Sequence, residues 1–272
     1  MNPYLLEWLS LIARWFHVFA GILWVGATYY FTWLDGQLRA AEKNAARDGG
    51  SSQVWMVHSG GFYTVEKQKH LGVSPEQVHW FRWEAALTWL SGMVLMFIVY
   101  YFGGALIDKD VADISLGAGI AIGLGVLVVG WIFYDLCALS FLGKSEFLFA
   151  VFSLAMIAAV SYGLVHVMSG RAAYIHVGAL FGTIMAANVW MRILPAQRKM
   201  IAAAAEGSQF DVALAARAKL RSKHNTFMAV PTVFIMISNH FPVSTYGSRY
   251  NWEILVALIL AGWGAAKLIR RA

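Results

Sequence analysis

The sequence is almost without cysteine. Cys137 stands alone among 272 residues, which excludes a disulfide framework, a cysteine-ligated iron–sulfur cluster and any C-x-x-C-H site for covalent haem. Charge is scarce as well: Asp, Glu, Lys and Arg make up 13% of the chain, against roughly 25% in soluble domains. The leading "MNPYLLEWLS" has neither a basic n-region nor a small-residue cleavage site, so the first apolar segment is expected to remain in the membrane.

What fills the chain is apolar surface. Hydrophobic residues reach 59%, mean hydropathy is +0.59, and there are 12 Trp and 11 Tyr. Amphipathic rings of that kind gather where hydrocarbon meets headgroups. A bilayer core takes roughly 20 apolar residues per helix, and that template predicts an all-α, polytopic transmembrane bundle with about seven spans near 9–33, 83–105, 115–136, 146–168, 172–193, 226–243 and 252–269. Residues 1–272 then form a single integral membrane domain, and Pro231 is expected to kink the sixth span because it removes a backbone donor.

Lysine and arginine orient the bundle. With the N-terminus outside and the C-terminus inside, 17 of the 21 basic residues fall on the inner side, leaving Arg14, Lys109, Arg171 and Arg249 toward the outer face. The net charge of +6 therefore follows topology, and its expected partner is anionic lipid rather than nucleic acid. Two long inner segments result, 35–81 and 195–225; the second carries an Ala-rich stretch expected to form an interfacial helix. The glycines of "GAGIAIGLGVLVVG" in the third span follow no strand and open no soluble helix, so they are read as close-packing residues rather than a phosphate loop.

Eight histidines divide across this topology. His58, His70, His79 and His224 fall on the inner side, whereas His17, His166, His176 and His240 lie within or at the ends of spans toward the outer face, at similar levels. A single intramembrane histidine is often only a hydrogen-bonding group between helices; four together point to function. Haem b wants axial imidazoles, aromatic walls and arginine near its propionates. His17 and His176 are the expected haem-iron ligands, with His166 and His240 as alternatives and Arg14 and Arg171 beside the propionates. A bare metal ion ranks lower, since acids that could complete or orient a zinc shell are scarce at that level. A carboxylate relay for protons ranks lower too, because Glu84, Asp135 and Glu146 all sit near the inner face, where they are expected to pair with Arg82, Lys144 or Arg192 or to help bind something from that side.

The segments "YLLEWLSLIARWFHVFAGILWVGATYYFTWLDGQL" at 4–38, "VHSGGFYTVEKQK" at 57–69 and "WFRWEAALTWLSG" at 80–92 resemble the membrane part of the cytochrome-c-linked bacterial urate oxidases, or urate hydroxylases. The resemblance runs through essentially the whole chain. It implies an enzyme of the bacterial inner (cytoplasmic) membrane that oxidises urate to 5-hydroxyisourate and passes electrons to cytochrome c. Longer members of that family end in a cytochrome c domain, which this chain does not contain; it is then either the membrane portion of a larger product or the donor to a separate cytochrome. Urate is a planar anion needing cationic or amide donors, an aromatic wall and a base. In the matching segments, His58, Glu66 and Arg82 are the candidate catalytic residues, and Tyr63, Lys67 and Arg82 the candidate substrate-binding ones. The competing readings are a non-enzymatic membrane cytochrome b that relays electrons and a purine transporter.

Overall fold

A computed structural model describes residues 2–48, 52–68, 78–209 and 211–271. Lys69 and His70 lie outside the described residues. The chain is mostly helical: α1 (Pro3–Asp48), a hairpin of β1 (Val54–His58) and β2 (Gly61–Val65), α2 (Trp83–Leu95), α3 (Leu116–Leu139), α4 (Glu146–Val165), α5 (Gly170–Ala187), α6 (Leu194–Ala205), α7 (Val212–Ser238) and α8 (Asn251–Ile269). Short polar side chains start several of them. Ser115, Ser145 and Ser169 each accept a first-turn amide, from Ala118, Leu148 and Ala172, and Asp211 accepts two, from Ala213 and Leu214.

Among the described residues six helices are long and apolar enough to cross a membrane, the lengths and composition of a membrane-associated protein. They cover the first five expected spans and the last. The expected sixth, α7, is a helix of 27 residues whose N-terminal half carries Arg217, Lys219, Arg221 and Lys223, so only its C-terminal half is continuously apolar. It runs through Pro231, which is fully buried against Gly262; a Cβ there would come within 3.0 Å of the proline Cδ.

Burial sorts the helices. α5 is the centre, buried at nearly every position from Ala172 to Phe181, with α3, α4, α7 and α2 packed around it and α8 against α7 and α4. α1 packs along α2 by one seam and leaves Trp8, Leu11, Trp15, Phe19 and Ile22 exposed. Where α3 meets its neighbours, glycine is what allows the approach. A Cβ on Gly119 would lie 2.5 Å from Ile107, on Gly123 2.5 Å from His176 and on Gly130 2.7 Å from Leu180. The expectation that these glycines serve packing is met at those three positions, while Gly125 faces open space. Gly123→Ala should therefore destabilise by about 1–3 kcal/mol through overpacking, whereas Gly125→Ala should be neutral or stabilising. Unfolding midpoints of the two variants in one detergent check the pair.

Two segments expected on the inner side differ in structure from the sequence expectation. Segment 35–81 is not all loop: α1 continues to Asp48, and a two-stranded antiparallel sheet follows, pairing Val54 with Val65 and His58 with Gly61. Ser59 and Gly60 both have positive φ (49° and 76°), the geometry of a tight hairpin turn that fits the strand twist. Segment 195–225 is not one interfacial helix but the end of α5–α6 and the start of α7. Glu206 ends α6, Gly207 takes positive φ, and Asp211 caps α7.

Candidate functional site

Two stretches of π-helix shape the interior. α2 passes into a π turn at Met96–Tyr101, and α5 into one at Asn188–Ile193. Such turns are rare and cluster at functional sites, because the extra residue re-aims neighbouring side chains. Each of these two lies beside a buried polar centre.

The first centre joins α2, α3, α5 and α7. Its π turn sends both Tyr100 and Tyr101 inward. His176 on α5 is completely buried, its Nδ1 donating to the Ala172 carbonyl at 2.8 Å. That bond leaves the Nε2 lone pair to accept from the Tyr101 hydroxyl at 3.2 Å, with Gly123 of α3 close on the same edge. Arg171 lies over the Tyr100 ring, 5.8 Å from its centroid, and donates from Nε to Asn239 Oδ1 at 2.9 Å.

The second centre joins α3, α5, α7 and α4 at the other end of α5. Asp135, buried on α3, accepts from Arg192 and from Arg221, the latter at 2.8 Å. The Asp135–Arg192 pairing is one the sequence anticipated. Arg221 itself is buried, and its guanidinium lies 5.0 Å from the centroid of the Tyr134 ring. Asn188, fully buried, donates to the Tyr134 oxygen at 3.0 Å and to Asn225 Oδ1 at 2.9 Å. Tyr134 in turn meets His224 Nδ1 at 2.8 Å, and the His224 ring stacks on Phe149 at 4.7 Å. Two buried atoms in this centre have no hydrogen-bond partner, Arg221 Nη1 and Asn188 Oδ1.

The residues singled out from sequence are distributed as follows. His17 faces α2, its Nδ1 3.0 Å from both the Thr88 carbonyl and Ser91 Oγ, with its ring over Gly92. His17 thus meets α2 near Ser91 and His176 meets it at Tyr101, ten residues apart and on the order of 15 Å of helix rise. His166 is exposed at the end of α4 and turned back onto the Tyr162 carbonyl at 2.7 Å, whereas His176 is fully buried, although a short turn joins their helices. His240 is exposed just beyond α7. Arg14 is exposed on α1 and bonded to Ser10. Among the described residues no three His, Cys, Asp or Glu side chains gather as a metal-binding group. The four outer histidines therefore occupy four separate environments.

The inner candidates are also dispersed. His58, Tyr63 and Glu66 are exposed on or just beyond the hairpin, with His58 Nδ1 2.9 Å from the hydroxyl of its neighbour Ser59. Lys67 pairs with Asp35 of α1 and so ties the hairpin to that helix. Arg82 is half-buried beside α2, 5.4 Å from the Trp83 ring centroid and 5.8 Å from that of Trp190, and its Nε has no partner. Glu84 Oε2 nearby is likewise buried and unpartnered. The sequence did not single out Tyr134, Asn188, Arg221 or Asn225. Arg221 and Asn225 stand in the charged stretch RAKLRSKHN, and Tyr134 and Asn188 follow no spacing motif, so composition alone carried no signal for them.

The fit of a haem can be judged from the histidines' hydrogen bonds. A ligating imidazole characteristically donates its other N–H to a carbonyl, which fixes the tautomer. His17 does this through Nδ1 and has an uncommitted Nε2, so it fits as an axial ligand. The Nε2 of His176 is already taken by Tyr101 and closed in by Gly123, and the residues present do not fit His17 and His176 on one iron.

Fold and polar centres together define a helical, membrane-type protein with buried polar chemistry at both ends of its central helix. The chain belongs to the urate oxidase N-terminal family, whose model matches residues 3–270. No curated protein and no solved structure matches it.

Proposed function

We propose that this protein is a membrane oxidoreductase that takes two electrons from urate and passes them through haem b to a cytochrome c. Family membership over nearly the whole chain carries this reading. The bundle is read as seven spans with the N-terminus outside, α7 crossing by its apolar half, in the bacterial inner membrane. The reaction balances as urate plus water giving 5-hydroxyisourate, two protons and two electrons. C5 gains the hydroxyl of water, and the electrons leave singly to the acceptor.

The chain's own residues have three tasks in that reaction. They must hold a planar anion, accept its protons and keep a redox centre close to helix α1. His17 would hold the haem, with the Thr88 carbonyl and Ser91 orienting its ring. Haem there would supply a one-electron relay between a two-electron donor and a one-electron acceptor. The buried guanidinium of Arg221, in the charged half of α7, would supply the cationic donor that an anion needs.

The test is isotopic. Membranes containing the full chain and a cytochrome c acceptor should convert urate anaerobically, with the new oxygen at C5 coming from labelled water. Urate-independent haem reduction by a quinol would favour an electron relay, and urate uptake without oxidation a transporter; either would overturn the proposal.

A further inference from the structure

We infer that the substrate anion binds at the second polar centre, on Arg221 and Asn188 beside Tyr134 and His224, and not on the hairpin. This rests on the proposed urate chemistry and names its site. Charge is the first argument. Asp135 is the one acid in contact with two guanidinium groups, and Arg221 is 3% exposed. The buried Asp135–Arg221 pair is neutral, and the second guanidinium on that carboxylate, Arg192, is 41% exposed, so the centre presents its net positive charge at its exposed edge. An anion is drawn to that edge.

Hydrogen bonding is the second argument, and it selects the class of anion. Buried polar groups in folded proteins are nearly always satisfied. Here the two unsatisfied atoms are of opposite kind: Arg221 Nη1 must donate, and Asn188 Oδ1 must accept. A lipid phosphodiester offers acceptors but no donor, and a hydrogen phosphate, which does carry an O–H, is tetrahedral and lacks a planar edge with donor and acceptor side by side. A planar oxopurine anion such as urate offers both side by side, a carbonyl or enolate oxygen for the arginine and a ring N–H for the amide.

Position is the third. Asn188 cannot rotate to hide its oxygen, because its nitrogen is held by Tyr134 and Asn225 together. Asn225 is in turn fixed by the Met185 carbonyl at 3.0 Å. The amide is thus pre-oriented, as a selective site requires. At the end of the bundle beside the centre, the Arg192 side chain is 41% exposed and Glu146, paired with Lys223, is 71% exposed. His58, Tyr63 and Glu66, by contrast, are held on an exposed hairpin that buries none of them.

Equilibrium dialysis of radiolabelled urate against the detergent-purified full chain tests the assignment. Arg221→Gln should weaken urate binding about tenfold or more, the loss of one charge-assisted hydrogen bond. Arg221→Lys should recover most of it. Asn188→Asp, equal in size but unable to anchor by its nitrogen and anionic toward the ligand, should weaken it at least as much. Tyr134→Phe keeps the ring and gives a second, milder variant, and each is compared only when it elutes as a single species. Excess inorganic phosphate should not displace the label. Wild-type urate binding that Arg221→Gln and Asn188→Asp leave intact, or that phosphate or Arg82→Gln abolishes in their place, overturns this site and leaves the proposed reaction standing. Failure of the wild-type chain to bind urate saturably overturns both.

Discussion

Asp135→Ala should be among the most destabilising single substitutions in this protein, costing about 3–5 kcal/mol. The carboxylate is nearly buried and serves Arg192 and Arg221 at once, so its removal leaves Arg221 as an uncompensated charge inside the bundle. The two arginines are not equivalent. Arg192 is 41% exposed at its side chain and can turn to water, whereas Arg221 is 4% exposed there and cannot. Arg192→Ala should therefore cost far less, in the range of about 0–1 kcal/mol typical of exposed pairs. The decisive comparison is the double variant. Asp135→Leu with Arg221→Met removes both buried charges and should recover much of the loss, since replacing a buried pair by apolar residues is often neutral. Denaturant titration in one detergent measures all three. A double variant no more stable than Asp135→Ala would show that the pair holds the helices by geometry rather than by cancelling charge.

The sequence reveals the helices well because hydrocarbon demands one simple thing of a helix, a run of about 20 apolar residues. Residues 115–136 and 146–168 become α3 and α4 with little change, and the serines just before them act as caps. α7 is harder, because a helix that must carry Arg221 and Asn225 inward at one end has a mixed composition by necessity. The hairpin was hidden for a different reason. Its signal is a two-residue Ser59–Gly60 turn between short alternating strands, which loop-like glycines on either side obscure.

The site was less legible than the fold, because depth along a span says nothing about rotation around it. His166 and His176 flank one short turn, yet one faces outward and the other is fully buried. Level alone brought four histidines together; facing separates them. Residues that matter by their facing, such as Asn188 and Tyr134, carry no spacing motif. They become visible only when a π turn is seen to aim Asn188 at Tyr134 on one neighbour and Trp190 at Trp83 on another.

His17→Ala should remove haem from the purified chain. The ring's hydrogen bonds, rather than its mere presence in a span, fix its orientation. Thr88 and Ser91 hold Nδ1, and Gly92 makes room for the ring; a Cβ there would lie 3.1 Å from Cε1. A helix interface that invests a glycine, a hydroxyl and a carbonyl in orienting one imidazole fixes the direction of its other nitrogen. Loss of the ligand should reduce haem retention by at least the ~10–100-fold that loss of an orienting partner costs. Ser91→Ala, with the Thr88 carbonyl still in place, should fall short of that. His166→Ala, at an exposed ring outside the packed bundle, should leave haem content unchanged. The readout is the haem absorbance per chain after supply of haem during expression, with the pyridine adduct as the count. His17→Ala with full haem would remove His17 as a ligand and shift attention to the Tyr101–His176 pair. Haem lost from both His17→Ala and His176→Ala would require Tyr101 to release Nε2 on binding, a change that the reduced-minus-oxidised spectrum of Tyr101→Phe would then report.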